Sequence, residues 1–131
     1  MTTAFFSHDD FMKHNMGPEH PESPERLAAI ISYLADTGLD QKLDWVRPEE
    51  ITRDQLLMVH PEKYLHQLDL MQPTRGRVFT DPDTAMMPDT LRAARLAAGA
   101  NIQAVDHVSP YAERLKEVCA WIAGAIGGGA Y

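Results

Sequence analysis

The hydrophobic pattern of the amino-terminal part of the chain changes between the period of a strand and that of a helix. Segment 2–7 is a short run rich in strand formers, and the polar stretch up to Pro21 has the glycine and prolines of a long loop. From Ser23, which a proline follows, apolar residues recur at helical spacing until Gly38. Segment 43–48 then alternates apolar and polar positions. The order strand, helix, strand predicts a parallel βαβ unit.

The pattern in the middle of the chain is mainly helical. Thr52 and Gln55 form a capping-box pattern for a short helix, and Pro61 begins another helix with an apolar side. Segment 72–87 has turn formers without helical periodicity and predicts a long loop. Beyond Pro88 the chain is helical again, and its many alanines and glycines suit close packing against a neighbouring element.

A last helix is predicted after a break near the carboxyl-terminal end. Ser109 and Pro110 repeat the cap-and-proline start, and an apolar stripe follows until the glycine-rich end GGGAY. The sum is two strands and about five helices in one α/β domain, residues 1–131. Because two strands make a small sheet, the helices are expected to need further cover.

Composition and charge narrow the class of protein and its partners. With 131 residues, of which 44% are apolar and 24% charged, the chain is typical of one globular domain. Its net charge of -7 disfavours nucleic acid and anionic lipid, and no stretch approaches the roughly 20 apolar residues of a membrane span. We therefore expect no nucleic-acid or membrane partner. Cys119, the single cysteine, and the lack of a leader-like amino terminus favour a cytoplasmic location.

The segment SHDDFMKHNMGPEHPESPERL, residues 7–27, holds three of the six histidines and raises the question of a metal site. Zinc sites use three or four ligands in tetrahedral geometry, often one helical turn apart. His8, His14 and His20 are each six positions apart across an irregular segment, so their spacing sets no common focus. The favoured interpretation is that they bind backbone groups and hold the loop in one shape. The sequence also lacks HExxH, a nucleophile elbow and a phosphate loop.

Three segments, in order, match the motifs of one known family. They are HPESPERL at 20–27, LLMVHPEKYLHQL at 56–68 and the stretch from TDPDT to the alanine-rich helix at 80–106. Together they resemble the zinc-dependent histone deacetylase and acetylpolyamine amidohydrolase superfamily, particularly its bacterial class II-like members. The resemblance covers residues 3 to about 106 and implies part of an arginase/deacetylase-like three-layer α/β fold. Residues 107–131 are then a divergent helix and glycine-rich tail.

The resemblance implies roles for four residues in substrate binding. Arg26, in HPESPER, matches an arginine that lies beneath the active site in the family, where a permanently charged guanidinium suits carboxylate or carbonyl oxygen. Asp83, the second aspartate of TDPDT, matches the rim aspartate that accepts hydrogen bonds from the backbone of an acetyl-lysine substrate, with Asp81 as the alternative. His14 and His20 match loop histidines that shape the rim and its support, and neither is a zinc ligand in the family.

The family's metal centre has no counterpart in this sequence. In the family, zinc is held by two aspartates and a histidine, beside a histidine pair, in segments resembling RPPGHH and DxH, and neither motif occurs here. The resemblance therefore implies that zinc belongs to the full-length family and that this chain binds no cofactor. GGGAY is weakly similar to the family's glycine-rich loop, but Tyr131 without zinc could not catalyse hydrolysis.

These observations leave three hypotheses about function. The first is a truncated deacetylase-like protein that carries the substrate rim and Arg26, and that is not catalytic alone. The second is a non-catalytic module that associates with itself, since apolar helix faces without cover favour a homo-oligomer such as a dimer. The third is part of a zinc-dependent deacetylase completed by another chain. The ligand implied by the resemblance is an acetylated lysine or polyamine.

Overall fold

The computed structural model of the protein describes residues 2–18 and 20–127, with side chains up to residue 108. In chain order the elements are β1 (Thr3–Phe6), a 3-10 helix (Asp9–Lys13), α1 (Pro24–Asp36), a second 3-10 helix (Asp40–Lys42), β2 (Leu43–Val46), α2 (Arg53–Leu57), α3 (Glu62–Met71), β3 (Val78–Asp81), β4 (Thr84–Met86) and α4 (Thr90–Gly127). The predicted α/β class with short parallel strands is confirmed. Among the described residues, no helix is long and apolar enough to cross a membrane.

Strands β1 and β2 pair in parallel, so the predicted βαβ unit is confirmed. Phe5 lies opposite Trp45 in the register, and their rings meet edge to face with centroids 4.7 Å apart. The amide of Ser7 donates to the carbonyl oxygen of Val46 at 3.1 Å, which extends the pairing by one bond. The first 3-10 helix follows directly, inside the segment that the sequence predicted as loop.

Helix α1 begins and ends where the sequence pattern predicts. Pro24 occupies the first helical position after Ser23, whose backbone is extended. At the other end, Gly38 has a φ of +67°, its amide donates to Ala35, and the amide of Leu39 donates to Leu34. This pair of bonds is a Schellman motif, which requires the left-handed backbone that glycine adopts without strain.

The predicted capping box at the start of α2 is confirmed. The Thr52 hydroxyl accepts from the amide of Gln55 at 3.2 Å, and Oε1 of Gln55 accepts from the amide of Thr52 at 2.9 Å. Helix α3 starts after Pro61, also as predicted. Asp69 of α3 binds Arg53 of α2 at 3.2 Å and Arg95 of α4 at 2.6 Å. One carboxylate thus joins three helices.

Two predictions about the later elements were wrong. Segment 72–87 is not a featureless loop, because β3 and β4 form an antiparallel hairpin whose turn is Pro82 and Asp83. The short strands escaped notice because β3 is exposed on both faces and lacks alternation. Helix α4 runs 38 residues through Pro110 instead of breaking at Ser109. Pro110 lacks a backbone N–H, so the hydrogen-bond ladder of α4 has no donor at that position.

The described core is small and centres on the first turns of α4. Its buried apolar residues come from the loop before α1, from α3, from the hairpin and from α4: Met16, Leu65, Ala85, Met86, Leu91, Ala93 and Leu96. Gly99 lets α4 approach the segment after β2, because a Cβ there would stand 2.0 Å from the carbonyl oxygen of Glu49. The amide of Ile51 donates to the carbonyl oxygen of Arg95 at 3.0 Å. The close neighbour predicted for this helix is therefore a loop.

Candidate functional site

A cavity of about 370 Å3 lies between the first 3-10 helix, the start of α1 and the start of α4. Its polar lining comes from His14, Glu22, Ser23, Arg26 and Thr90. Alanines of α4, with Phe11, Pro24 and Leu27, make the apolar part of its wall. Arg26 and His14, which the resemblance implicated in substrate binding, therefore face the same cavity.

His14 is fixed to the first turn of α4. Its Nδ1 lies 2.9 Å from the hydroxyl oxygen of Thr90, and the same oxygen accepts from the amide of Met87 at 2.9 Å. The hydroxyl therefore caps the turn before α4 and bonds the imidazole as well. Thr90 was not among the residues singled out from the sequence, although its place after a proline is typical of a helix start.

The 3-10 helix that leads to His14 is anchored by the carboxylate of Asp10. Asp10 is 7% exposed, binds Nζ of Lys13 at 2.7 Å and Nε of Arg92 at 2.5 Å. Arg92 also pairs with Glu50, in the segment after β2. The hydrogen bonds from Lys13 and then Arg92 lower the pKa of Asp10 from 3.8 to about 2. The carboxylate therefore ties the 3-10 helix to α4.

The histidines of segment 7–27 bind separate partners. Nδ1 of the buried His8 accepts from the amide of Asp10 at 3.0 Å, whereas His14 bonds Thr90 and His20 bonds Glu22. Within residues 2–18 and 20–108, no three His, Cys, Asp or Glu side chains are placed to hold a metal ion. The side chains present there do not fit a zinc ion, and we assign no chemical step to one.

His20 joins the loop before α1 to the β3–β4 hairpin. Its Nε2 lies 3.2 Å from Oδ1 of Asp83, 63 positions along the chain, and its Nδ1 accepts from the amide of Glu22 at 3.0 Å. The side chain of Asp83 is 93% exposed, whereas that of His20 is 21% exposed. Because Glu22 also lines the cavity, this contact connects the hairpin tip to the wall of the cavity.

The two aspartates of TDPDT have different surroundings. Oδ1 of Asp81 accepts from the amide of Asp83 at 2.9 Å, and hydrogen bonds from Asp83 and then from Thr84 lower the pKa of Asp81. The carboxylate of Asp81 therefore already accepts hydrogen bonds within its own hairpin. The carboxylate of Asp83 instead projects away from the turn and reaches His20. Of the two aspartates left open by the sequence, Asp83 is therefore the one whose carboxylate contacts the loop before α1.

Gly17 brings the start of the hairpin against the histidine-rich loop. Its φ is +117°, and a Cβ there would stand 2.7 Å from a terminal nitrogen of Arg77, which precedes β3. The amide of Gly17 donates to Oδ1 of Asn15 at 2.8 Å. Two contacts between distant segments of the chain thus hold the hairpin beside this loop. Arg77 lies against Gly17, and Asp83 contacts His20.

Comparisons with known proteins agree on one family. The model of the histone deacetylase domain family matches residues 20–127. A protein of Synechocystis sp. described as uncharacterised is 35% identical over 102 residues, which is 76% of this chain and 33% of that protein. A probable deacetylase of Archaeoglobus fulgidus is 32% identical over 110 residues, covering 82% of this chain and 30% of that protein. Polyamine deacetylase HDAC10 of Homo sapiens is 30% identical over 117 residues, covering 82% of this chain and 18% of that protein.

A solved structure gives the same result at the level of the fold. The crystal structure of the HDA15 HD domain matches with a TM-score of 0.66 and 28% identity, over 76% of this chain and 29% of that chain. The chain therefore spans between about a fifth and a third of the length of these relatives. The family match extends to residue 127, and the predicted boundary at 106 stays a prediction. This chain belongs to the histone deacetylase family.

Proposed function

We propose that this chain provides the substrate-rim part of a deacetylase-type acyl pocket and that it does not hydrolyse amides on its own. In this proposal Asp83 accepts a backbone N–H of an acetylated lysine ligand. His20 and His14 shape the rim and its support, and Arg26 lies beneath it. The family's activity resides in zinc chemistry, for which the sequence supplies neither the RPPGHH nor the DxH segment.

The observation that carries the proposal is the contact between His20 and Asp83. It brings two family motifs, HPESPER and TDPDT, to one side of the molecule although they are far apart in sequence. Glu22 connects this contact to the cavity that Arg26 and His14 line. The contact between His20 and Asp83 thus adjoins the cavity that Arg26 and His14 line, which supports a common binding role for the four residues.

Ligand binding by the purified 131-residue chain tests the proposal. An acetyl-lysine peptide is titrated by NMR or calorimetry against the wild-type chain and against Asp83→Asn. Loss of the carboxylate should weaken binding about fivefold or more, because a charged acceptor is replaced by a neutral one. Asp106→Asn, which removes an exposed carboxylate from α4, is the matched control and should bind like the wild type.

The ligand side of the same contact gives a second control. A peptide that is methylated on the backbone amide nitrogen of its acetyl-lysine cannot donate that N–H to Asp83. It should therefore bind the wild-type chain more weakly. The same methylation should reduce the affinity of Asp83→Asn much less than that of the wild type, since this variant already lacks the carboxylate that accepts the N–H. N-acetylputrescine, titrated in parallel, separates an acetylated lysine from an acetylated polyamine ligand. Zinc-dependent turnover of any of these probes by the purified chain would contradict the non-catalytic part of the proposal.

Self-association is a second candidate, favoured by exposed apolar side chains at the ends of two helices. Met58 and Val59 after α2 are 82% and 74% exposed, and Leu70 near the end of α3 is 72% exposed. Monomeric proteins seldom leave clusters of large apolar groups open to water. Under this proposal a second copy of the chain covers them.

Sedimentation of the wild-type chain and of Met58→Lys with Leu70→Glu tests this candidate. A dimer that the double variant converts to a monomer supports self-association through these residues. A wild-type monomer at micromolar concentration contradicts it. A deacetylase completed by another chain remains a third proposal, and a cytoplasmic location is proposed from the single Cys119.

A further inference from the structure

We infer that His20 is a positioning residue for Asp83, and that it acts in the tautomer with its proton on Nε2. The inference rests on the proposed function, because it explains how a nearly fully exposed carboxylate at the tip of a hairpin is held for a ligand. An aspartate that is 93% exposed would otherwise sample several rotamers in water.

The tautomer follows from the two neighbours of the imidazole. The amide of Glu22 donates to Nδ1 at 3.0 Å, so Nδ1 presents a lone pair and carries no proton. The other ring nitrogen, Nε2, faces Oδ1 of Asp83 at 3.2 Å, and a carboxylate oxygen only accepts. One neutral tautomer satisfies both contacts.

The alternative protonation states fit these contacts less well. A proton on Nδ1 would point at the amide of Glu22, and the acceptor nearest to it would be the carbonyl oxygen of Glu22 at 3.4 Å. With the proton on Nδ1 alone, Nε2 would also turn a lone pair towards Oδ1 of Asp83. The amide of Glu22 therefore acts on the rim indirectly, since it selects the tautomer that donates to Asp83.

Asp83 is consequently held from two directions. Its amide donates to Oδ1 of Asp81 at 2.9 Å, which fixes the backbone of the turn, and His20 holds the carboxylate through Oδ1. The second carboxylate oxygen, Oδ2, is left to accept from a ligand. Holding one oxygen lowers the entropy that the side chain would lose when a ligand binds to the other.

Two substitutions separate the two contacts of the imidazole. His20→Gln places an amide nitrogen near the position of Nε2, so it keeps a donor for Asp83. His20→Asn places an amide oxygen near the position of Nδ1, so it keeps an acceptor for Glu22 and loses the donor for Asp83. His20→Ala removes both. All three are made in the full chain and compared with the wild type by NMR in mildly alkaline solution.

Two measurements need no ligand. The side-chain 15N shifts of His20 should report a protonated Nε2 and an unprotonated Nδ1. Three-bond couplings of Asp83 should report one side-chain rotamer in the wild type and in His20→Gln, and rotamer averaging in His20→Asn and His20→Ala. A proton found on Nδ1, or a rotamer of Asp83 that is unchanged in the Asn and Ala variants, would overturn the inference.

Binding of the acetyl-lysine peptide links the inference to the site. His20→Gln should keep the wild-type Kd within about twofold, and His20→Asn should raise it about fivefold, the loss expected for one hydrogen bond. Equal affinities of the Gln and Asn variants would count against a positioning role. If the wild-type chain shows the tautomer and the fixed rotamer but does not bind the peptide, the proposed function fails and the contact between His20 and Asp83 stands.

Discussion

Gly99 lies directly against the carbonyl oxygen of Glu49, so that a Cβ on this glycine would stand 2.0 Å from that oxygen. The same Cβ would stand 2.8 Å from the backbone nitrogen of Ile51, so backbone atoms surround this position on more than one side. A flexible side chain could move away, but a loop that is hydrogen-bonded to α4 through Arg95 cannot move without losing that bond. The glycine thus sets the distance between α4 and the end of the βαβ unit.

Gly99→Ala is therefore expected to destabilise the protein. A Cβ that stands 2.0 Å from backbone places the overpacking cost at its upper end, about 3 kcal/mol, and alanine recovers roughly 1 kcal/mol through its higher helix propensity, so the net loss is about 2 kcal/mol. Urea unfolding should show a lower midpoint with an unchanged slope. Ala94→Ser, which adds one atom at an exposed position of the same helix, is the control and should stay within about 0.5 kcal/mol of the wild type. A Gly99→Ala protein as stable as this control would contradict the close approach.

The carboxylate of Asp10 predicts a specific dependence of stability on acid. Its pKa is lowered in the folded protein to about 2, below the ordinary 3.8, so its stabilising effect is present above about pH 4 and is lost as the pH falls through about 2. The stability of the wild type should therefore decrease more steeply than that of Asp10→Asn over this window.

Thermal unfolding of both proteins between pH 2 and pH 5 measures this difference. Lys13→Gln removes the hydrogen bond that lowers the pKa of Asp10 most and leaves Arg92 in place, so it should give an intermediate slope. Parallel profiles of the wild type and Asp10→Asn across the window would show that the ion pairs do not lower the pKa.

Gly17 is expected to resist substitution because of its backbone, more than because of its contact with Arg77. A φ of +117° is strained for any residue with a Cβ, at a cost of about 1–3 kcal/mol. The atom that a Cβ would meet is the end of a flexible arginine, which can turn aside. Gly17→Ala should therefore destabilise the chain by a similar amount in the wild type and in Arg77→Ala. A coupling larger than about 0.5 kcal/mol between the two changes would assign the cost to the contact instead.

The capping box at α2 predicts a smaller effect with a conservative rescue. Thr52→Ala leaves the amide of Gln55 without its acceptor and should cost about 1 kcal/mol in urea unfolding. Thr52→Asp keeps a side-chain oxygen at the same place and should restore most of this loss. If Ala and Asp at this position are equally stable, the bond does not contribute to stability.

The sequence was sufficient for features that depend on neighbouring residues. The Schellman end at Gly38 and the capping box at Thr52 are local, because the groups that bind one another are within five positions. The parallel pairing of β1 and β2 followed from the order of elements, which restricts the topology. The hairpin was missed because its strands have only three or four residues, too few to show an alternation of apolar and polar positions.

The candidate site could be predicted only in part, since its contacts join distant segments. The family motifs drew attention to His20 and Asp83, but their spacing does not reveal that the two side chains meet. Asp10 and Lys13 are an ordinary pair at helical spacing, whereas Arg92 lies 82 positions from Asp10 and gave no signal. Thr90 lies at a position typical of a helix start. Its bond to His14 depends on tertiary packing, which the periodicity of the sequence does not predict.

The two bonds of Asp83 also predict an order of assembly during folding. Its amide binds Asp81 only two positions away, within a hairpin of the kind that forms in about 1–10 μs. The bond to His20 closes a loop of 63 positions, which costs more chain entropy and requires the loop before α1 to be in place. We therefore expect His20→Ala to accelerate unfolding in stopped-flow experiments and to leave the folding rate unchanged. Under the proposed function, a rim assembled in this order acquires its ligand-binding shape last and loses it first.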